Sequence, residues 1–192
     1  MKQKNWKRRI GLLALVVACA AVAAYGSAAY FTTESTARNV ITAGGVKIEL
    51  QESQKVDAGL IPFEGPIRVL PDSTVSKIVQ VKNTGRQPAY IRVRADKLIQ
   101  LSKMVEGEAD PTLISMDLNT EQWTERDGFF YYEKALAPGE VTEPLFTEVH
   151  FDGDMGNLYQ GSQADIVIYA YAVQTANNGN TVWDAAGWPV AE

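Results

Sequence analysis

Residues 164–175 read ADIVIYAYAVQT and predict the longest strand of the protein. Successive side chains of a β-strand point to opposite faces of the sheet, and both faces of this stretch are apolar. The two faces carry, in turn, Ile166, Ile168 and Ala170, and Val167, Tyr169 and Tyr171. A strand that is apolar on both faces is buried on both, so we expect it at the centre of a sheet.

Shorter strands are predicted on the N-terminal side of this stretch by the same period of two. Val75, Val79 and Val81 are predicted to share one face of a single strand, which ends at the turn residues Asn83-Thr84-Gly85. Residues 60–70 contain two prolines and a glycine, and they predict an irregular connection that ends in a short strand. Further strands are predicted at 46–50, 90–95, 129–132 and 145–151, while 113–118 fits either a strand or one helical turn.

Seven to nine short strands with turn signals between them, and no alternation with helices, predict an all-β protein. The expected architecture is an antiparallel β-sandwich. We assign residues 46–176 to this domain and residues 177–192 to a C-terminal tail. Its core is expected to contain Ile91, Val93, Ile166 and Ile168.

The N-terminus has the three parts of a secretory signal peptide. Residues 1–9 are basic, residues 10–31 carry no charge, and small residues precede Tyr30. We therefore predict residues 1–29 to be a signal peptide. Cleavage between Ala29 and Tyr30 is expected, with Ser27 and Ala29 as the small residues that a signal peptidase needs.

Two other fates of the leader stay open. The uncharged run is long enough to span a bilayer, so the leader can be retained as an anchor. Val16-Val17-Ala18-Cys19 also fits a loose lipoprotein pattern, in which Cys19 is lipidated. The simpler reading of Cys19 is a small apolar residue within the leader.

Cleavage after Ala29 leaves 163 of the 192 residues and removes the only Cys, so the mature chain has no intramolecular disulfide. It also removes five basic residues and no acidic one. The remaining 13 basic and 23 acidic residues give a formal net charge of −10. A surface this acidic disfavours binding to nucleic acid or to anionic lipid. We expect a secreted protein that meets the membrane only before its signal peptide is cut.

The stretch AYFTTESTARNVITAGGVKIEL, residues 29–50, resembles the start of the TasA/camelysin family of Gram-positive exported proteins. Members carry a signal ending in Ala-Tyr-Phe or Ala-Ala-Phe, then Thr-rich and acidic residues, then Thr-Ala-Gly before a strand. Two further stretches, VSKIVQVKNTGRQPAYIRVRAD and YYEKALAPGEVTEPLFTEVHF, are similar to the related alternate signal-mediated exported proteins. Where the family usually has Asp soon after Phe, this chain has Thr32-Thr33-Glu34.

The resemblance implies a jelly-roll-like sandwich and processing by a SipW-type signal peptidase. For TasA it implies subunits that assemble into extracellular biofilm fibres, and for camelysin a metalloprotease. The common H-E-x-x-H protease motif is not present, and the chain has one His, His150. We expect no enzymatic activity, no cofactor and no metal site.

Three weaker patterns are compatible with binding sites. Glu148, His150 and Asp152 share one face of a predicted strand, but such a face with one His is more often solvated than zinc-bound. The oxygen-rich loop with Asp152, Asp154 and Asn157 leaves calcium binding open. Aromatic residues at Tyr169, Tyr171, Trp183 and Trp188 fit either a sugar platform or core packing.

The residues and the resemblance together predict an extracellular structural protein, a subunit of a biofilm-matrix or surface fibre. Residues 30–45 are the N-terminal segment of the mature chain, and Tyr30 to Asn39 is a possible donor strand for a neighbouring copy. The expected assembly residues are Tyr30, Phe31, Thr32, Thr33 and Glu34, with Gly44-Gly45 as a hinge. A disordered tail, a camelysin-like cell-surface metalloprotease and a surface carbohydrate-binding module are the alternatives.

Overall fold

The computed structural model describes residues 40–43, 45–102 and 106–190, and these residues form an all-β structure. One-turn 3₁₀ helices lie at Pro111–Leu113 and Asn157–Tyr159. The strands, in chain order, are β1 (Val40–Ala43), β2 (Ile48–Val56), β3 (Gly59–Pro62), β4 (Ile67–Arg68), β5 (Ser73–Ser76), β6 (Ile78–Asn83), β7 (Ala89–Gln100), β8 (Ile114–Met116), β9 (Trp123–Arg126), β10 (Phe129–Tyr132), β11 (Glu148–Phe151) and β12 (Gln163–Gln174).

These strands form three sheets. The large sheet has the order β1-β12-β7-β10-β9, and β4 also pairs with β12. The other two are three-stranded: β5-β11-β8, called here the β11 sheet, and β3-β2-β6, called here the β2 sheet. Both three-stranded sheets are antiparallel, whereas the large sheet is mixed because β1 runs parallel to β12.

The parallel pairing of β1 with β12 corrects the expectation of purely antiparallel pairing. Parallel neighbours need a long connection between them, and here most of the domain separates the two strands. A four-residue strand shows no clear alternation in the sequence, so its partner and its direction were not predictable from local pattern.

The strand predicted at 164–175 is β12, but burial on both faces holds only in part, because Asp165 is exposed and Val167 and Tyr169 are half-buried. This strand lies between β1 and β7, and it pairs antiparallel with β7 along its whole length, from Gln163↔Gln100 to Gln174↔Ala89. One face of β12 is almost fully buried, as expected for a central strand. The buried residues on that face are Ala164, Ile166, Ile168, Ala170 and Ala172.

Side chains from all three sheets join one hydrophobic cluster. The large sheet contributes the four residues predicted for the core, which are each at most 2% exposed: Ile91, Val93, Ile166 and Ile168. The β2 sheet contributes Val79 and Val81, and the β11 sheet contributes Val149 and Phe151. All fully or largely buried apolar residues of the described chain lie between Val46 and Val182, within the unit Asn39–Glu192. That unit therefore carries its own core.

The single strand predicted across Val75 and Val81 is wrong, because the chain changes sheets at Lys77. β5 pairs with β11, whereas β6 pairs with β2. The Lys77 side chain is buried at the corner, with Nζ 2.5 Å from Glu52 Oε1 and 4.1 Å from the centre of the Phe63 ring. Strands commonly pass from one sheet to another at such a bend.

The connection predicted as irregular at 60–70 contains a strand that the sequence did not indicate. β3 forms a hairpin with the end of β2 around Asp57 and Ala58, and all four β3 residues are exposed. An exposed strand containing Pro62 lacks both alternation and propensity, so its pairing was missed.

At 113–118 both readings hold in part, since a 3₁₀ turn leads directly into β8. Among the described residues no helix is long and apolar enough to cross a membrane.

Candidate functional site

The residues predicted for processing and for assembly lie outside the described residues. They are Ser27, Ala29, Tyr30, Phe31, Thr32, Thr33 and Glu34. Of the predicted hinge, Gly44 also lies outside, while Gly45 is in an exposed turn. The described chain begins at Val40, directly after the predicted donor segment, so the surface beside β1 is the first place to look for a site.

β1 occupies only a short part of the outer edge of β12, meaning the edge away from β7. Its four residues pair from Val40↔Ala170 to Ala43↔Val173. Val40 packs against the main core cluster, and Ala43 packs against a smaller cluster on the opposite face of the large sheet. The register of β1 is thus fixed by apolar contacts on both faces.

β4 occupies the other end of the same edge. Its two residues pair antiparallel with β12, as Ile67↔Ala164 and Arg68↔Gln163. No described residue pairs with the outer edge of β12 from Asp165 to Tyr169, which we call the edge gap. Unpaired main-chain N–H and C=O groups along a strand edge are a template for another strand.

The two faces of the edge gap have different chemistry. On the core face Ile166 and Ile168 are 2% and 1% exposed. On the outer face Asp165 is exposed, and Val167 and Tyr169 are half-buried. A strand that fills the edge gap therefore needs uncharged side chains toward the core, whereas polar side chains are acceptable on the other face.

An arginine packs against the outer face next to the edge gap. Arg94 lies on β7 opposite Tyr169, with its guanidinium 4.5 Å from the centre of the tyrosine ring. Its Nε also lies 3.2 Å from a carboxylate oxygen of Asp96. The outer face of the large sheet is thus polar and aromatic where it borders the edge gap.

The four aromatic residues predicted as a sugar platform are brought only partly together. Tyr171 and Trp188 lie over the guanidinium of Arg92, at 5.3 and 4.7 Å, and Tyr131 contacts both Trp183 and Trp188. Tyr169 lies apart, on Arg94. Tyr171 is fully buried, and of the four only Trp183 is exposed, at 40%. Core packing therefore accounts for most of this aromatic pattern.

Residues 177–190, predicted as a tail, pack against the outer face of the large sheet. Val182 is buried there, and Arg92 Nη2 donates a hydrogen bond to the carbonyl oxygen of Pro189, at 3.1 Å. The Asn178 side chain closes the segment by bonding the backbone of Gln174 and Ala186. The segment thus supports the face behind β1, a role with no visible sequence signal beyond its two tryptophans.

Two of the residues considered for zinc and calcium, His150 and Asp152, have hydrogen-bond partners. His150 Nδ1 lies 3.1 Å from the hydroxyl of Thr74, and Glu148 is exposed. The Asp152 carboxylate accepts a hydrogen bond from the backbone N–H of Asp154, and Asn157 begins a 3₁₀ helix. Within 40–43, 45–102 and 106–190, no group of three or more His, Cys, Asp or Glu residues could hold a metal ion.

Two further polar contacts shift the pKa of a side chain. Burial, together with the hydrogen bond to Glu143, raises the pKa of the Tyr132 hydroxyl to about 12. Burial alone would raise the pKa of Asp117, but hydrogen bonds from Thr147 and Glu148 outweigh it and lower the pKa.

The edge gap is therefore the most distinctive feature among the described residues. It combines a buried apolar face with main-chain groups that no described strand pairs, and it adjoins the segment for which assembly was predicted. In comparisons with known proteins, no family model, no curated protein and no solved structure matches the chain.

Proposed function

We propose that the protein is a secreted subunit of an extracellular fibre, in which Tyr30–Asn39 of one copy pairs with the edge gap of the next. The observation that carries this proposal is the edge gap itself, five residues of a central strand flanked by β4 and β1. An extended peptide can add to such an edge, with main-chain hydrogen bonds supplying affinity. The resemblance of residues 29–50 to the TasA/camelysin family supports the same function.

The proposed architecture is a jelly-roll-like β-sandwich. One cluster of buried side chains draws on the large sheet and on both three-stranded sheets, which supports packing of sheets face to face. All the strand pairs except β1–β12 are antiparallel, in keeping with that architecture. A sandwich leaves the edge of β12 at the surface, where a second copy can reach it.

The register of β1, if continued past Val40, would not suit the sequence that precedes it. Val40 faces the core opposite Ala170. A strand continued backward from Val40 in this register would set Arg38 opposite Ile168, on the core face. Burying an unpaired guanidinium against aliphatic side chains is costly, so this continuation is disfavoured.

The segment fits the edge gap better when it comes from another copy, because its register is then free. Alternate residues Phe31, Thr33, Ser35 and Ala37 are uncharged, while Glu34 and Arg38 fall on the other face of the same extended segment. When the uncharged side chains face Ile166 and Ile168, the charged side chains of Glu34 and Arg38 stay out of the core.

Such pairing makes a chain of subunits. The donor segment and the edge gap are different surfaces, so each copy offers one of each and contacts do not close into a dimer. Before processing, the donor segment is joined to the leader and held at the membrane. Cleavage between Ala29 and Tyr30 by a SipW-type signal peptidase therefore also releases the segment for assembly.

The test compares two purified chains, one starting at Tyr30 and one starting at Val40. The chain starting at Tyr30 is expected to form filaments visible by electron microscopy, and the chain starting at Val40 is expected to remain monomeric. Adding the separate peptide YFTTESTARN to the longer chain should cap growing ends and shorten the filaments. Equal filament formation by both chains, or none by either, would overturn the proposal.

A further inference from the structure

A groove opens beside the β4 end of the edge gap. Its volume is about 510 Å³, and it lies between β4 and the loop that carries the 3₁₀ helix Asn157–Tyr159. Val69 and Met155 are buried in its wall, and Leu70 is 55% exposed at its rim. The polar lining includes Arg68, Asn157, Gln160 and Gln163.

The groove and the edge gap are neighbours along the same strand. Gln163 lines the groove and begins β12, and the edge gap starts two residues later at Asp165. Ile67 pairs with Ala164 and so occupies the edge of β12 between the groove and the edge gap. A strand that occupies the edge gap must therefore leave the ladder at this point, and the groove begins one residue further along β12, at Gln163.

The length of the gap decides which donor residues remain beyond it. With the uncharged face of the donor inward and its direction parallel to β12, Thr33 lies opposite Ile166 and Ser35 opposite Ile168. Thr32 to Thr36 then fill the edge gap residue for residue. Phe31 and Tyr30 extend beyond it, at the levels of Ala164 and Gln163, where β4 already holds the edge.

We propose that this groove is the anchor pocket for the aromatic pair Tyr30-Phe31 at the start of a neighbouring copy's mature chain. The inference rests on the proposed function and adds to it a direction and a specificity site. Leu70, which is exposed, supplies an apolar contact for the Phe31 ring, and the buried Val69 and Met155 lie in the same wall. The guanidinium of Arg68 lies at the rim, where it can stack on either aromatic ring.

The opposite direction of the donor gives no such fit. An antiparallel donor would bring Tyr30 and Phe31 to the Tyr169 end of the gap, where β1 occupies the edge from Ala170 onward. The first two mature residues would then meet a filled position rather than an open groove. The parallel donor is thus the arrangement that uses all of its strand-forming residues.

The test fills the groove by substitution and measures binding of a labelled peptide. Gly156 lines the groove, has a φ of −78°, and an added Cβ there would meet no atom within 4 Å. Gly156→Trp should therefore fold normally and occupy the groove. Gly153→Trp is the matched control, because Gly153 is in the same loop but does not line the groove, and its Cβ would make only an ordinary contact with Asp72.

Binding of fluorescent YFTTESTARN to the unit Asn39–Glu192 and its variants is followed by anisotropy, with thermal unfolding as the check of folding. Gly156→Trp is expected to weaken binding at least tenfold, and Gly153→Trp to leave it within twofold. A peptide with Phe31→Ala should bind the unsubstituted unit at least tenfold more weakly. It should lose little further affinity to the Gly156→Trp unit, because both changes remove the same contact.

The outcomes separate this inference from the proposed function. Tight peptide binding that Gly156→Trp and Phe31→Ala leave unchanged overturns the anchor pocket while the pairing at the edge gap stands. Peptide that does not bind the unsubstituted unit at all overturns both. Equal weakening by Gly156→Trp and Gly153→Trp shows a loop effect and also overturns the anchor pocket.

Discussion

The two edges of β12 differ in how completely they are paired. Toward β7, all twelve residues are paired in one uninterrupted antiparallel ladder. Toward the outside, β1 and β4 pair with four and two residues, and the described chain leaves the five between them open. One edge is therefore fully paired within the chain, whereas the other has no described partner over five residues, although the same core side chains lie behind both. We expect the stability of the domain and its binding of the peptide to respond to different substitutions.

The largest loss of stability is expected when a side chain on the core face of the edge gap is truncated. Ile168→Ala removes a side chain that is 1% exposed and should cost about 2–5 kcal/mol of unfolding free energy. Thermal unfolding should therefore occur roughly 5–15 °C lower for a domain of this size. Calorimetry of the unit Asn39–Glu192 provides the measurement.

The matched control for that change is the adjacent residue on the other face. Val167 is half-buried, so Val167→Ala should cost less than about 1 kcal/mol. Equal losses at the two positions would mean that the two faces of the edge gap are not distinct, and the fit of a donor strand would lose its basis.

A smaller loss of stability is expected from a change at Arg92, which lies behind the part of the β12 edge that β1 occupies. Arg92 lies 4.0 Å from the Phe129 ring centre and 4.7 Å from that of Trp188, and it bonds the carbonyl of Pro189. Arg92→Ala should cost about 1–3 kcal/mol through lost packing and hydrogen bonding. It should also make residues 177–190 more sensitive to limited proteolysis.

The exposed Arg126 serves as the comparison, since its guanidinium is 6.0 Å from the ring of Trp183 and makes a surface ion pair with Asp127. Arg126→Ala should change stability by less than about 0.5 kcal/mol. If both arginine variants unfold alike, Arg92 does not hold the C-terminal segment in place.

The smallest effect concerns Asp117, a carboxylate directly after β8 at the border of the β11 sheet. Asp117 accepts hydrogen bonds from Thr147 and from the backbone N–H of Glu148, which lower its folded-state pKa. Its contribution is therefore present above the unfolded pKa, near 3.9, and is lost as the pH falls through the folded value. Asp117→Asn should cost on the order of 1 kcal/mol at pH 7.

Denaturant unfolding at several pH values checks this sign. The difference between the Asp117→Asn variant and the unsubstituted protein should shrink below about pH 4, and peptide binding at neutral pH should be unchanged. A difference that is constant with pH would mean that the charge of Asp117 does not contribute to stability. Loss of peptide binding would mean that the β11 sheet and the edge gap are coupled.

Sequence pattern alone predicted the parts of the fold whose burial is regular. The alternation of Ile91 and Val93, and the doubly apolar run around Ile168, follow directly from the two-residue period of a strand. The switch of sheets at Lys77 was missed because a buried lysine with a carboxylate partner appears in the sequence as one polar residue within a strand. Local periodicity does not record which sheet the next residue joins.

The candidate site could be predicted only in half. The proposed donor segment is recognisable as a short stretch of strand-forming residues between the predicted leader and a pair of glycines. The edge gap is not recognisable from the sequence, because its length depends on how far β1 and β4 extend along β12. Neither strand has a periodic signal of its own. The position of residues 177–190 depends in the same way on Arg92 and on side chains distant in sequence.

Hydrogen exchange of the β12 amides, resolved by residue, tests the central claim most directly. The unit Asn39–Glu192 is measured alone and with saturating YFTTESTARN. The account predicts that amides pointing outward between Asp165 and Tyr169 exchange fast without peptide and become strongly protected with it, while Ala170 to Val173 remain unchanged. Outward amides of the edge gap that are already protected without peptide, or that gain no protection with it, would contradict the account.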